Sequence, residues 1–128
     1  MKKNIVNTKY APQPIGPYNQ AVSFGDLLFI SGQIALRPDG SSMVNASIEE
    51  ETHQVMKNIK SILEEAGSKL EDVIKISIFL KDLSLFKRVN ESYGSYFSTD
   101  TAPARETVEV SRLPKDANIE MSIIAGIK

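Results

Sequence analysis

The strongest constraint on the fold lies in residues 119–125, where large apolar side chains alternate with a second set that begins at Glu120. A period of two is typical of a β-strand with one buried face, because successive side chains point to opposite sides. A second run, residues 107–110, is rich in β-branched residues and follows Arg105. Residues 113–116 between the runs predict a turn, since proline fixes φ and aspartate favours local turn hydrogen bonds. Two such strands allow Arg105 and Glu120, charges that are hard to explain as solvated surface, to converge on one site.

Another alternating run, residues 73–81, predicts a further strand. Its apolar face is formed by Ile74, Ile76, Ile78 and Leu80. A strand with one apolar face is expected to be covered by helices on that side. Phe79 interrupts the polar face, which indicates that the second face is also partly buried, for example by another subunit.

Two segments have the spacing of amphipathic helices. Ser47 and Glu50 have capping-box spacing before the first helix, and Gly67 supplies its stop. The single histidine, His53, falls beside the apolar stripe of this helix, which favours an edge or solvated position. Asn90 lies next to the stripe of the second helix, where it is able either to reach inward or to face solvent. That second stripe is formed by Leu85, Phe86, Val89, Tyr93, Tyr96 and Phe97.

The N-terminal part predicts a short strand at residues 5–7 and then an ordered loop. Residues 11–18 contain three prolines and one glycine, Gly16, which excludes a helix or a central strand. The loop ends on Tyr18, an aromatic residue with a polar tip. Packing at the edge of the core and a role in a site are equally good interpretations of Tyr18.

A β-hairpin is predicted next, with strands at residues 21–24 and 27–30 around a Gly25-Asp26 turn. Ser31 and Gly32 follow the second strand. A glycine at this place predicts either a β-bulge or a close approach of the backbone to a ligand.

The predicted order is β, β, β, α, β, α, β, β, in a single domain of residues 1–128. Two helices that cover one face of about six strands indicate an α+β layer fold. The uncovered face needs burial, and symmetric oligomerisation is a simple way to supply it.

Composition excludes several classes of site. The 128 residues contain no cysteine and one histidine, so we expect no disulfide, no cysteine zinc site and no Ser-His-Asp triad. The net charge of −1 lacks the cationic excess of a nucleic-acid binder. No apolar stretch is long enough to span a membrane, and Met1-Lys2-Lys3 is followed by polar residues rather than by a signal-peptide core. We therefore expect a cytoplasmic protein with no membrane or nucleic-acid partner.

At this point the sequence resembles the RidA (YjgF/YER057c/UK114) family of reactive intermediate deaminases. The resemblance extends over nearly the whole chain, in five blocks that occur in order. The blocks are Ile15-Gly16-Pro17-Tyr18-Asn19-Gln20-Ala21-Val22, Phe29-Ile30-Ser31-Gly32-Gln33-Ile34, Val73-Ile74-Lys75 with Phe79-Leu80-Lys81-Asp82-Leu83, Val89-Asn90-Glu91 with Tyr93-Gly94 and Tyr96-Phe97, and Pro103-Ala104-Arg105 through Pro114-Lys115-Asp116.

The resemblance implies a chorismate-mutase-like fold, with a mostly antiparallel sheet and two helices on one face, assembled as a homotrimer with clefts between subunits. It implies hydrolysis of enamines and imines of the 2-aminoacrylate and 2-iminopropanoate type to a 2-oxo acid and ammonia. It also implies that no cofactor and no metal take part.

The resemblance assigns roles to seven residues. Arg105 holds the substrate carboxylate, for which a planar guanidinium is suited, and Glu120 positions the attacking water and accepts its proton. The remaining positions bind substrate together with Arg105; they are Tyr18, Ser31, Gly32, Asn90 and Thr107. Tyr18 is a candidate to come from the neighbouring subunit.

Four positions depart from the family pattern: Asn19, Arg37, Glu106 and Thr107. Thr107 stands where many relatives carry cysteine, and we expect activity to survive because the mechanism needs no thiol. Glu106 replaces a small residue and adds a negative charge next to Arg105 in the sequence, which predicts an effect on substrate choice.

Three alternatives remain open. Arg105 and Glu120 are also compatible with a structural ion pair across neighbouring strands. The same arginine would serve a non-enzymatic trimer that binds small carboxylates and regulates a partner. An RNA-directed activity, attributed to some members of the family, is disfavoured by the charge balance.

Overall fold

A computed structural model describes residues 2–127. Its elements follow the predicted order. They are β1 (Lys3–Val6), β2 (Ala21–Phe24), β3 (Leu27–Gln33), α1 (Ile48–Glu65), β4 (Val73–Leu80), α2 (Phe86–Tyr93), β5 (Ala104–Glu109) and β6 (Ile119–Gly126). Short 3-10 turns precede β4, α2 and β6. Neither helix in this part of the chain has the length and apolar character needed to cross a bilayer.

The six strands form one sheet in the order β1-β2-β3-β6-β4-β5. Every neighbouring pair is antiparallel except β4 and β5, which run parallel on either side of the α2 crossover. The mostly antiparallel α+β sheet is therefore confirmed. The suggestion that the strands of Arg105 and Glu120 are neighbours is wrong, because β4 lies between β5 and β6.

Helix α1 begins as the capping box predicts. The Ser47 hydroxyl accepts a hydrogen bond from the Glu50 backbone N–H at 3.1 Å, and Gly67 follows the helix with a φ of 75°. Both helices cover the same face of the sheet, which we call the helix face. The side chains of α1 that are fully buried against it are Val55, Met56, Ile59, Ile62 and Leu63.

Strand β4 shows one departure from simple alternation. Ile76, Ile78 and Leu80 are buried on the helix face as predicted, whereas the side chain of Ile74 is 49% exposed. The pairing of β4 with β6 shifts register between Val73 and Lys75. Because a bulge changes the side to which residues point, the shift removes Ile74 from the buried row.

The opposite side, which we call the open face, is uncovered in a single chain and strongly apolar. Cross-strand partners point to the same side of a sheet, so the registers assign each residue to a face. Large apolar side chains that are at least 40% exposed on the open face are Ile5, Phe24, Leu27, Phe29 and Val108. Contiguous apolar surface of this kind marks an interaction site.

Candidate active site

Glu120 lies on the open face of β6, directly across from Phe79. Its side chain is half-buried, and no salt bridge among residues 2–127 reaches it. Burial without a cationic partner raises the pKa of the Glu120 carboxyl above its usual value of 4.5. A carboxylate with a raised pKa is better matched to accept a proton near neutral pH.

Gly32 lies against the Glu120 carboxyl group. The β3–β6 pairing is irregular between Ile30 and Gln33, so the predicted bulge is present. A methyl group on Gly32 would overlap one Glu120 carboxylate oxygen and come within 2.8 Å of the carboxyl carbon. The sequence offered a bulge or a close approach as alternatives. The bulge is confirmed, and the group that lies against the Gly32 backbone is the Glu120 carboxylate; the approach of a ligand to this backbone stays a prediction.

A cavity of about 290 Å³ opens beside this carboxylate. Tyr18, Gly32 and Glu120 line it together with Gln33 and Lys115. Three of the predicted site residues therefore line one cavity. We call these residues the Glu120 half-site. The Tyr18 side chain is 51% exposed, so it is a wall of the cavity rather than part of the core.

Gln20 fixes the proline-rich loop that carries Tyr18. Its buried side-chain amide accepts from the Thr8 N–H at 2.6 Å and donates to the carbonyl oxygens of Thr8, Ala11 and Pro12 at 2.8–3.2 Å. Because one side chain satisfies four backbone groups, the loop has a defined position despite its lack of regular structure.

Glu51 fixes the beginning of β6 in a similar way. Its carboxylate, on the buried side of α1, accepts from the backbone N–H and the side-chain amide of Asn118, each at 2.8 Å. Asn118 precedes Glu120 by two residues. The turn before it contains Lys115 and Asp116 in left-handed backbone conformations, with φ of 54° and 53°. Left-handed non-glycine residues are strained and concentrate at functional sites.

Arg105 lies on the helix face of β5, in register with the buried Ile76 of β4. Its guanidinium carbon lies 4.9 Å from the ring centre of Tyr93 and 5.5 Å from that of Phe86, both on α2. Among the described residues no carboxylate forms a salt bridge with Arg105. Its hydrogen-bonding edge is therefore available to an anion.

Thr107 and Asn90 accompany Arg105. Thr107 points to the same face two residues along β5, and its hydroxyl oxygen is shielded from solvent with no hydrogen-bond partner. Asn90 is half-buried on α2, four residues after Phe86 and three before Tyr93, on the same side of the helix. These residues form an Arg105 half-site.

The Ser31 hydroxyl group takes part in neither half-site. That hydroxyl donates to the Asn19 carbonyl oxygen at 2.7 Å, and the Ser31 N–H donates to the Gln20 carbonyl oxygen. Its side chain joins β3 to the loop that carries Tyr18, which is a structural contact.

The two half-sites lie on opposite faces of the sheet. Within one chain, therefore, Arg105 and Glu120 neither converge on one site nor form an ion pair across neighbouring strands. Glu106 is also on the open face, away from Arg105, where its carboxylate contacts Ser77 and lies 3.2 Å from Lys75. The expectation that Glu106 places its charge beside Arg105 is wrong, because adjacent residues of a strand point to opposite sides.

Sequence reasoning missed the residues that hold the site in shape. Gln20 stood in a matched block without a role, and Glu51 was not singled out. Phe86 and Tyr93 read only as core aromatics. Within residues 2–127 no cluster of three or more histidine, cysteine or acidic side chains is arranged to hold a metal ion.

Known proteins match this chain over nearly its whole length. Residues 8–127 match the family model described as endoribonuclease L-PSP. A RutC family protein of Pyrococcus abyssi is 50% identical over 125 residues, 98% of each chain. The 2-iminobutanoate/2-iminopropanoate deaminase of Dermatophagoides farinae is 40% identical over 98% of each chain.

Two further matches are informative. Reactive Intermediate Deaminase A, chloroplastic, of Arabidopsis thaliana is 43% identical over 99% of this chain and 67% of that protein. The crystal structure of Escherichia coli TdcF with bound serine superimposes with a TM-score of 0.90 at 37% identity, over 98% of this chain and 99% of that one.

Proposed function

The chain belongs to the endoribonuclease L-PSP family, which includes the Rid and RutC proteins, and from this we propose that it is a hydrolytic deaminase of reactive 2-imino acids and their enamine tautomers. The substrates are of the 2-aminoacrylate and 2-iminopropanoate type. Water adds across the C=N bond, and the products are a 2-oxo acid and ammonia. Two relatives named as deaminases of this kind, at 43% and 40% identity, support the proposal.

The observation that carries it is a complementary pair of unfilled groups. Arg105 presents a guanidinium with no carboxylate partner among the described residues, and Glu120 presents a half-buried carboxyl of raised pKa with no cation. A 2-imino acid needs both, since it carries a carboxylate to be held and a carbon to be attacked by water. TdcF, similar over the whole chain, binds serine, which also carries a carboxylate.

Each residue has a role in the reaction. Arg105 holds the substrate carboxylate through two charge-assisted hydrogen bonds. Glu120 accepts a proton from water as the water oxygen bonds to the imine carbon, and it passes that proton to the imine nitrogen, which gives a carbinolamine. The carbinolamine hydroxyl then loses its proton to the nitrogen as the C–N bond breaks, so that the C=O group forms and ammonia leaves. Gly32, Tyr18 and the cavity wall confine the substrate beside Glu120, and Asn90 and Thr107 complete the surroundings of Arg105. Ser31 contributes by holding the loop that carries Tyr18.

The separation of the half-sites supports a site between subunits. Because Arg105 and Glu120 face opposite sides of one sheet, a complete site requires the Arg105 half-site of one chain and the Glu120 half-site of another. A homotrimer with three such clefts satisfies this, since a head-to-tail interface closes into a ring. The apolar open face supports it, because this surface needs a partner.

The direct test is a coupled assay. A serine or threonine dehydratase generates 2-aminoacrylate, and its decay is followed with no addition, with the wild type and with Arg105→Ala. We expect faster decay with the wild type alone. Decay at the spontaneous rate in all three samples would overturn the deaminase proposal.

The assembly has its own test. Arg105→Ala chains retain the Glu120 half-site and Glu120→Gln chains retain the Arg105 half-site, so we expect each alone to have at most a small residual rate. In an equal mixture reassembled at random, about one site in four combines two intact halves, and we expect roughly a quarter of wild-type activity. If mixed oligomers form but the mixture recovers no activity, both residues of a site lie in one chain.

A carboxylate-binding regulatory protein is the alternative, since the Arg105 half-site alone would bind an acid. It is favoured if 2-oxobutanoate binds through Arg105 while the coupled assay shows no turnover. The family description as an endoribonuclease keeps an RNA substrate testable, although the net charge of −1 disfavours it. The absence of nucleic-acid partners and a cytoplasmic location stay predictions.

A further inference from the structure

Arg105 rests on two aromatic rings from one helix. Phe86 and Tyr93 are seven residues apart on α2, which places them two turns apart on the same side. The guanidinium carbon of Arg105 is nearer to the centre of the Tyr93 ring, at 4.9 Å, than to that of Phe86, at 5.5 Å. A cation held over ring faces loses freedom of orientation without loss of its hydrogen-bond donors.

The two rings differ in burial. Phe86 is 38% exposed, whereas Tyr93 is 7% exposed. The Tyr93 hydroxyl is shielded from solvent and makes no hydrogen bond of good geometry within residues 2–127, although the Arg105 guanidinium lies close enough to act on it as a donor. A buried hydroxyl without a partner is costly, so a structure that keeps one needs a reason.

The charged group next to that hydroxyl is Arg105. Burial raises the pKa of Tyr93, and the neighbouring Arg105 guanidinium acts in the opposite direction. The hydroxyl therefore stays protonated at neutral pH, and its oxygen remains free to accept a hydrogen bond. Arginine has five N–H donors, of which a carboxylate takes two, so donors remain on the far side of the guanidinium.

We propose that Tyr93 is a positioning residue for Arg105: its ring fixes the guanidinium plane, and its hydroxyl oxygen accepts a guanidinium N–H when Arg105 binds a carboxylate. The inference rests on the proposed function, in which Arg105 is the carboxylate-binding group. Tyr93 itself does not touch the substrate. Because Tyr93 restricts the guanidinium before the carboxylate binds, Arg105 loses less conformational entropy on binding, and the carboxylate binds more strongly.

The test compares three variants. Tyr93→Phe removes only the hydroxyl, and Tyr93→Leu removes the ring as well. Tyr96→Phe is the matched control, because the Tyr96 hydroxyl is bound to His53 Nδ1 at 2.7 Å. Circular dichroism and light scattering establish that each variant keeps its fold and its assembly state.

The first readout is binding of 2-oxobutanoate, a stable acid with the shape of a product, measured by calorimetry beside its uncharged amide. We expect Tyr93→Phe to weaken binding of the acid about threefold and Tyr93→Leu about tenfold or more. Binding of the amide and the Tyr96→Phe control should change little. In the imine assay the same variants should raise KM and leave kcat nearly unchanged.

The second readout is a double-mutant cycle with Arg105→Ala. If Tyr93 acts through Arg105, adding Tyr93→Leu to Arg105→Ala costs no further affinity for the acid. An equal further loss in that background would assign Tyr93 a merely structural role and overturn the inference. So would equal effects of Tyr93→Phe and Tyr96→Phe, or a wild type that does not bind the acid.

The two proposals fail in different ways. A wild type that binds 2-oxobutanoate through Arg105 and Tyr93 but does not hydrolyse imines removes the deaminase proposal and supports the positioning role. A wild type that hydrolyses imines and is unaffected by Tyr93→Leu removes the positioning role alone.

Discussion

The Arg105 and Glu120 half-sites hold their charged groups in different environments. Arg105 is on an edge strand, on the helix face, with its guanidinium packed on aromatic rings. Glu120 is on an interior strand, on the open face, with its carboxyl packed over the bare backbone of Gly32. The guanidinium is packed on ring faces, whereas the carboxyl is desolvated so that its pKa rises.

The difference shows why the two groups benefit from separation within a chain. A direct Arg105–Glu120 ion pair would lower the pKa of the carboxyl and fill the guanidinium edge. Both effects would oppose imine hydrolysis, which needs an available anion site and a basic carboxylate. Opposite faces of the sheet prevent this pairing within one chain, and under the proposed function the complete site depends on assembly.

Glu120→Gln gives the largest effect expected within the Glu120 half-site. The amide is similar in size but does not accept a proton from water, so we expect kcat to fall about 100-fold or more. Binding of 2-oxobutanoate should be retained, because Arg105 is unchanged. Calorimetry and the coupled assay measure the two quantities; loss of binding together with activity would reassign Glu120 to a structural role.

Gly32→Ala should disturb the same half-site less. A methyl group would overlap the Glu120 carboxylate, which must turn away from its position beside the cavity. We expect a fall of about tenfold in kcat with little change in carboxylate affinity. Gly126→Ala is the matched control on β6, since a methyl group there meets no atom closer than 3.8 Å. Similar losses in both variants would show that alanine disturbs the strands rather than the carboxylate.

The pH dependence of kcat should also separate the half-sites. The ionised form of Glu120 is the active one, and its pKa lies above 4.5, so activity should fall at a higher pH than for an exposed glutamate. Below that pKa the rate should drop about tenfold per pH unit. The residual rate of Glu120→Gln should lack this acid limb. If the Glu120→Gln variant keeps the same acid limb, another group is responsible for that limb.

Features set by neighbouring residues were readable from the sequence. The Ser47 cap, the Gly25 hairpin turn and the alternation of residues 119–125 depend on local geometry, and the structure confirms each one. The insertion of β6 between β3 and β4 depends on pairing between distant segments, for which local patterns carry no signal. This is why Arg105 and Glu120 were expected to meet within a chain.

Buried polar groups were the second feature that local sequence patterns did not predict. Glu51 and Gln20 carry the residue types of an ordinary surface, and only the tertiary structure shows that each satisfies backbone groups next to the site. The exposure of Ile74 has a similar origin, since a bulge in β4 cannot be read from an unbroken alternation.

The smallest effect is expected at Glu106, which is next to Arg105 in sequence but on the other face. Its carboxylate is exposed, and its contacts with Ser77 and Lys75 hold its pKa below the usual value. Glu106→Gln should therefore leave kcat/KM within about twofold of wild type for small and for acidic imino acids alike. Thr107→Val is the informative comparison, since it changes the Arg105 side of the same strand. A large change of substrate preference in Glu106→Gln would mean that its charge reaches an assembled site, because within one chain it faces away from Arg105.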